Sequence, residues 1–365
     1  MKHWRRALYL MQTIEGLAGG LIGVFIPIYF LTLGYGLRDV FYFFIVNNLA
    51  ILVLFLVAAA FAHRFGFAKT IGLRLLFLSA NLFLLFNLKA YPNAFYLISL
   101  LSAAEIAFYW FPLHVIFAKA TDHDKVDEHV SNLMALPALA KALLPFFGAT
   151  ITALFGFKAL FVVAGVFYMA SAVPLLFVGH IPVDVKISGA KIIEYVKRFK
   201  KYFAIETLLS AVGEVEGYLL PIFLFLLFKD VMAVGAVATY LSLGSALFTM
   251  IIGKYSNHGN GRAFLRAGAL SMALVWLARF TAETQTAFYL LSVVAGFCGV
   301  LISVPFSSMI YRNAKDSHVE DFIIFRELPI SLGRIALYLL ALLIASSIKW
   351  SFVAAAVAYL ALIFI

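Results

Sequence analysis

Runs of about 20 apolar residues recur along the whole chain, separated by short polar breaks. They lie at roughly 8–33, 39–62, 70–88, 94–119, 130–154, 159–179, 202–228, 232–252, 264–281, 286–311, 321–346 and 349–365. Each approaches the length a helix needs to cross a bilayer core. None shows the strict alternation over about ten residues that marks a barrel strand. The pattern predicts an all-α integral membrane protein with twelve transmembrane helices. Connectors are short, with one exception from His180 to Lys201. Within it Ile192, Ile193, Val196 and Phe199 share one helical face and Lys191, Lys197, Arg198 and Lys200 the other. That arrangement predicts an amphipathic helix lying on an anionic inner leaflet.

The second half of the pattern repeats the first at an offset of 192 to 194 residues. Gly23 and Pro27 answer to Gly217 and Pro221, and Pro112 with Lys119 to Pro305 with Arg312. The run from His129 to Pro137 answers to Asp321 to Pro329, and Lys141 then matches Arg334. Repeats at a fixed period define the architecture before any local detail does. The expected plan is two pseudo-symmetric six-helix bundles, residues 1–180 and 202–365, joined by a linker at 181–201. Two like halves in a membrane protein point to a transporter with its site between them.

Composition agrees: 64% of residues are hydrophobic and 13% charged, with a mean hydropathy of +1.01. A soluble domain carries about twice that share of charge. The formal charge of +10 changes meaning once it is placed. If the first span starts inside, nineteen Lys and Arg fall on inward segments and six on outward ones. This is the positive-inside bias, and it predicts a cell (inner or plasma) membrane protein with both termini cytoplasmic. Nucleic-acid binding is left without support. Cys298 is the sole cysteine, so no intrachain disulfide is expected. The first apolar stretch is long enough to stay as a span, and the last is short with no polar tail, as if the chain continued slightly further.

The short stretch after the second span brings a resemblance. Ala59-Ala60-Phe61-Ala62-His63-Arg64-Phe65-Gly66-Phe67-Ala68-Lys69 is similar to the Gly-x-Leu-Ala-Asp-Arg-x-Gly-Arg-Arg loop of the major facilitator superfamily. Arg64, Gly66 and Lys69 are kept, while Ala59 replaces the opening glycine and His63 the acid. The second half carries Gly253-Lys254-Tyr255-Ser256-Asn257 with basic Arg262, where the glycine is kept and Asn257 replaces the acid. Twelve spans in six plus six, with a basic central linker, resemble that superfamily over the whole chain. The resemblance implies that His63, Arg64, Gly66, Lys69, Gly253 and Asn257 belong to a cytoplasmic gate. Physically, a tight inter-helix turn asks for glycine, and basic residues suit the inner surface. Leu144-Pro145-Phe146-Phe147-Gly148-Ala149 faintly resembles a Gly-Pro-x-x-Gly-Gly antiporter motif, a slight tilt toward export.

Ionisable residues inside the membrane are costly and mark function by default. Glu105, Lys141, Glu214, Glu216 and Arg334 fall within a turn of their span midpoints, with Glu15 about five residues off centre. Ser102, Glu105 and Tyr109 form one helical stripe, Ser210, Glu214 and Tyr218 a second, and Glu327, Ser331, Arg334 and Tyr338 a third. Glu216 lies off its stripe and is expected to pair within the bundle. Arg74 and Arg266, near inner span ends, are expected to snorkel. The expected ion pairs are Glu105 with Lys141 and Glu214 with Arg334. Such a carboxylate can bind a proton in one facing state and release it in the other. The proton-coupling or substrate-binding set is therefore Glu15, Glu105, Tyr109, Lys141, Glu214, Tyr218 and Arg334.

No nucleotide-binding loop of the form Gly-x-x-x-x-Gly-Lys-Ser/Thr appears, and no cofactor is expected. Asp122, His123, Asp124, Asp127, Glu128 and His129 crowd one loop, but charge is normal there and no metal site is expected. The sequence thus predicts a monomeric secondary transporter of a small solute, coupled to protons and touching anionic lipid at the inner leaflet. Export of an organic cation is favoured over uptake of a nutrient; a non-transporting sensor or scaffold is the alternative. No nucleophile and base pair at helical spacing, so an enzyme is not expected.

Overall fold

The computed structural model describes residues 2–121, 142–174, 183–256, 261–345 and 347–364, without the side chains of 2–6 and 250–256. Among them the chain is helical, with short turns and no strand. The N-terminal half comprises α1 (Lys2–Ile22), α2 (Ile26–Thr32), α3 (Leu37–Phe65), α4 (Phe67–Asn87), α5 (Phe95–Ala120) and α6 (Leu144–Ala170). A short helix α7 (Gly189–Arg198) lies in the linker. The C-terminal half comprises α8 (Lys200–Glu214), α9 (Leu220–Phe228), α10 (Val231–Ser256), α11 (Gly261–Thr281), α12 (Gln285–Lys315), α13 (Val319–Leu343) and α14 (Trp350–Leu362).

Nine of the described helical segments are long and apolar enough to cross a membrane. One of these, α6, turns at Gly156 (φ +80°, ψ +170°) and so holds the end of the fifth predicted span and the sixth. The charged α13 and the short α14 supply the remaining predicted crossings. Gly66 adopts the same backbone conformation (φ +83°, ψ +165°) between α3 and α4. Each of these two corners turns the chain at a single residue. Their conformation is essentially glycine-only. Gly66→Ala is expected to cost about 1–3 kcal/mol, read as a lower unfolding temperature of the purified protein.

The repeat survives in how the halves touch. Helix α3 packs along α13, and α10 packs along α6. These two interfaces exchange under the sequence offset, which maps the second span onto the eighth and the fifth onto the eleventh. Gly235 makes one of them close: a Cβ there would meet Ala149 Cβ at 2.4 Å and Pro145 O at 2.7 Å. The Gly-x-x-x-Pro repeat breaks a helix in both halves, in different ways. Before Pro27, residues Gly23–Phe25 tighten into a 3₁₀ turn. Before Pro221, residues Val215–Leu219 widen into a π turn. A proline lacks the N–H its preceding turn would bond, so the helix must shift register there. A π turn of this kind often marks a functional position.

The linker differs from expectation. Its helix begins at Ser188, whose hydroxyl accepts from Lys191 N, and buries Tyr195, a residue outside the predicted apolar stripe. Tyr195 meets Phe325 edge-on at 5.5 Å, and Phe199 meets Phe322 at 5.2 Å. The aromatic face of α7 is thus seated on α13, while Ile193 remains exposed. Upstream, Asp184 N donates to Glu320 Oε1 (3.0 Å) and Lys186 N to Asp321 Oδ1 (2.8 Å). Lys191 Nζ adds a bond to Asp321 Oδ2 at 2.8 Å, which raises the lysine pKa. A hydrogen bond from Lys186 holds the exposed Asp184 carboxyl below its usual range.

Candidate functional site

In the N-terminal half one guanidinium holds two carboxylates. Arg74 of α4 donates through Nη1 to Glu15 Oε2 of α1 at 3.0 Å and through Nη2 to Glu15 Oε1. Its Nη2 also reaches Glu105 Oε1 of α5 at 3.1 Å. Such a fork fits two carboxylates at once, which an ammonium could not do as well. The guanidinium lies over the Tyr109 ring (4.2 Å), whose hydroxyl donates to Gln12 Oε1 at 2.7 Å. Ser171, at the end of α6, donates to Glu15 at 2.8 Å. Arg74 is only 1% exposed. The expectation that it snorkels is therefore corrected: counting depth along α4 alone misses the carboxylates that α1 and α5 bring to it. Lys141, the expected partner of Glu105, lies outside the described residues.

In the C-terminal half, Arg334 Nε of α13 is 3.0 Å from Glu214 Oε1 of α8. Tyr338 donates to the other oxygen at 2.5 Å. The predicted stripe on α13 brings Arg334 and Tyr338 together, and the π turn follows Glu214 at once. The Arg334 side chain keeps 33% of its surface exposed. About two turns away along both helices, Arg326 Nε lies 3.5 Å from Glu206 Oε1. Arg326 Nη1 reaches across to His114 Nε2 of α5 at 2.9 Å, and His114 Nδ1 lies 2.8 Å from Tyr311 Oη of α12. Arginine only donates, so Nε2 must be bare and the imidazole proton sits on Nδ1, donating to Tyr311. His114 is not in the site set expected from the sequence. Nothing along one helix could show that the bond crosses between the halves.

Glu216 is apart from these groups. It pairs with Arg279 Nη1 at 2.7 Å, and Arg279 is 0% exposed over the Trp276 ring. Tyr218 packs on Phe44 of α3 at 4.6 Å, and Phe44 stacks on Tyr338 at 5.0 Å. These rings join the halves toward the end away from the linker. At the linker end, Lys119 Nζ pairs with Glu320 Oε1 at 2.5 Å and Lys315 Nζ bonds Thr121 O. The two charged clusters lie between these closures.

The predicted gate residues are arranged differently from a loop. His63 and Arg64 sit in the last turn of α3 and Lys69 in the first turns of α4, all exposed, with only Gly66 between the helices. Gly253 is inside α10 rather than in a turn, and Asn257 lies outside the described residues. His63 Nδ1 meets Val183 O of the linker at 2.9 Å, so that corner touches the strap. The acidic run at 122–129 also lies outside the described residues. Among the described ones, no group of three or more His, Cys, Asp or Glu could hold a metal. Two apolar grooves, one of about 520 Å³ between α4 and α6 and one of about 480 Å³ beside α14, contain none of these charges.

The fold is that of several solved transporter structures, at low sequence identity. The chain is similar to the human organic anion transporter MFSD10 (TETRAN), at 13% identity, covering 100% of this chain and 98% of that one with a TM-score of 0.71. A bacterial homologue of the iron transporter ferroportin in an outward-facing state matches at 13% identity, 99% and 98% coverage and a TM-score of 0.75. The E. coli fucose:proton symporter FucP matches at 11% identity, 99% and 96% coverage and a TM-score of 0.67. No family model matches the sequence, and no curated protein does.

Proposed function

We propose that the protein is a secondary active transporter that moves a small solute by alternating access and couples it to protons. One observation carries the reading. Among the described residues, the carboxylates of the two central clusters outnumber the guanidiniums by one in each half: Glu15 and Glu105 against Arg74, and Glu206, Glu214 and Glu327 against Arg326 and Arg334. Excess negative charge in a low-dielectric interior is compensated by a proton or a cationic solute. The symporter among its structural neighbours supports the same reading by fold alone.

The linker end is the cytoplasmic end, both termini lie there, and the protein works as a monomer. The two bundles at 1–180 and 202–365 rock about α3–α13 and α6–α10. Glu15, Glu105, Tyr109, Glu214, Tyr218 and Arg334, with Lys141, line or support the site; His63, Arg64, Gly66, Lys69, Gly253 and Asn257 belong to the gate region. The basic face of α7 meets anionic lipid. Export of an organic cation is the favoured direction, with uptake the runner-up.

The test is proton flux in proteoliposomes under an imposed pH gradient, with organic amines, sugars and organic anions offered in turn. At least one class is expected to dissipate the gradient, and Glu105→Gln to slow that flux about 10-fold or more. If no class moves protons, or Glu105→Gln leaves the flux unchanged, the coupling proposal is wrong.

A further inference from the structure

The two halves treat one pair of helices differently. Under the sequence offset, α4 and the arm of α6 after Gly156 correspond to α11 and α14. Helices α11 and α14 pack closely, and aromatic rings fill their seam: Trp276 meets Phe352 at 5.2 Å and Phe280 meets Trp350 at 5.2 Å. Helices α4 and α6 touch only lightly. Phe83, the counterpart of Trp276 in the repeat, is 61% exposed where Trp276 is 0% exposed. The groove of about 520 Å³ between α4 and α6 is what this difference leaves, with Phe83, Phe86, Val162 and Val166 on its walls. Its lining on α4 runs from Ser79 to Asn87, about 12 Å along the helix axis. That is close to the hydrocarbon depth of one leaflet, about 15 Å.

One end of the groove is cationic. Helix α4 leaves the Gly66 corner beside the linker, so Asn87 marks the end away from the linker. There Lys158 Nζ lies 4.4 Å from the centre of the Phe86 ring, and both Lys158 and Lys89 are exposed. Among the described residues no carboxylate pairs with either lysine. Asp39, the described carboxylate at that end of the N-terminal half, is held by Gly36 N at 2.8 Å. Lys158 also stands in the first turn after the Gly156 corner, where the positive end of the helix dipole adds to its charge. The groove beside α14 has no such end, because Lys349 lies over Phe280, outside its lining.

We propose that this groove is a binding site for an anionic phospholipid from the leaflet at the end away from the linker. One acyl chain lies along Phe83, Val162 and Val166, and the phosphate with its anionic headgroup meets Lys158 and Lys89. The bilayer offers an apolar groove nothing but lipid tails to cover it, so the cationic end decides which lipid is held. A zwitterionic headgroup brings an ammonium beside the two lysines and gains less from them. The bound chain completes the α4–α6 seam as Trp276 and Phe352 complete its counterpart in the other half. The site is the same whichever solute the protein moves.

Photolabelling tests this on the full chain in phosphatidylcholine nanodiscs that carry a trace of phosphatidylglycerol with a diazirine in one acyl chain. After illumination and digestion, mass spectrometry is expected to find the label concentrated on residues 79–87 and 158–169. Added unlabelled phosphatidylglycerol should suppress that labelling, and phosphatidylethanolamine should not. Lys158→Gln is expected to lower it about 5-fold, the effect of one lysine at an anionic surface. Val166→Trp, which fills the groove from a position 64% exposed, should lower it at least as far. Both substitutions are at exposed positions, and an unchanged circular dichroism melt shows that each variant is folded. Label spread evenly over these segments and the α14 groove overturns the proposal, as does equal suppression by phosphatidylethanolamine or unchanged labelling in Lys158→Gln. Displacement of the lipid by an organic amine would make the groove a solute path and overturn it as well.

Discussion

Arg74→Met is expected to destabilise the protein by about 3 kcal/mol, because it strands two partly buried carboxylates at once. Among the described residues Glu15 and Glu105 meet no other guanidinium, and Ser171 and Asn81 offer only neutral donors to them. The loss is mostly charge, not volume, since methionine fills much of the same space. Adding Glu15→Gln and Glu105→Gln to Arg74→Met should therefore recover most of the unfolding temperature. Thermal unfolding of the purified variants, followed by circular dichroism, reads both effects. An unchanged melting temperature in Arg74→Met, or no recovery in the triple variant, would show that the cluster does not hold α1, α4 and α5 together.

Gly296→Val is the second large effect. A Cβ at Gly296 would sit 2.2 Å from Leu241 O and 2.7 Å from Ser245 N; one at Gly244 would sit 2.3 Å from Val293 O. Helices α10 and α12 thus touch backbone to backbone, as small residues permit in membranes where lipid is as apolar as leucine. Backbone cannot yield as a side-chain tip does, so the cost is about 3 kcal/mol or more, at the upper end for overpacking. Gly299→Ala on the same helix is the control, since nothing lies within 4 Å of its added carbon. There alanine should be neutral or stabilising by up to about 1 kcal/mol. Equal damage from the two substitutions would mean that helix propensity, not close approach, sets the effect.

How far the site is legible in the sequence depends on whether its geometry is local. The Glu214–Arg334 contact was legible because each partner sits on a polar stripe of its own helix, and stripes in lipid turn inward. Glu216 was legible for the complementary reason, being off the stripe. Arg74 was misread because it lies toward the end of its span, where a long cation normally reaches water. What holds it inside is carboxylate from other helices, which no single-helix count contains.

Hydrophobic run lengths, the repeat and the bias of basic residues determined by themselves that the chain is a two-fold, all-helical membrane protein. That much follows from the bilayer, which satisfies no backbone polar group and so admits only a few solutions. Which charges meet was decided only by tertiary structure. Arg74 gathering two carboxylates, His114 reaching Arg326 across the halves and the linker strapped to Glu320 and Asp321 all join residues far apart in sequence. Coulomb attraction depends on distance in space, and only packing sets that distance.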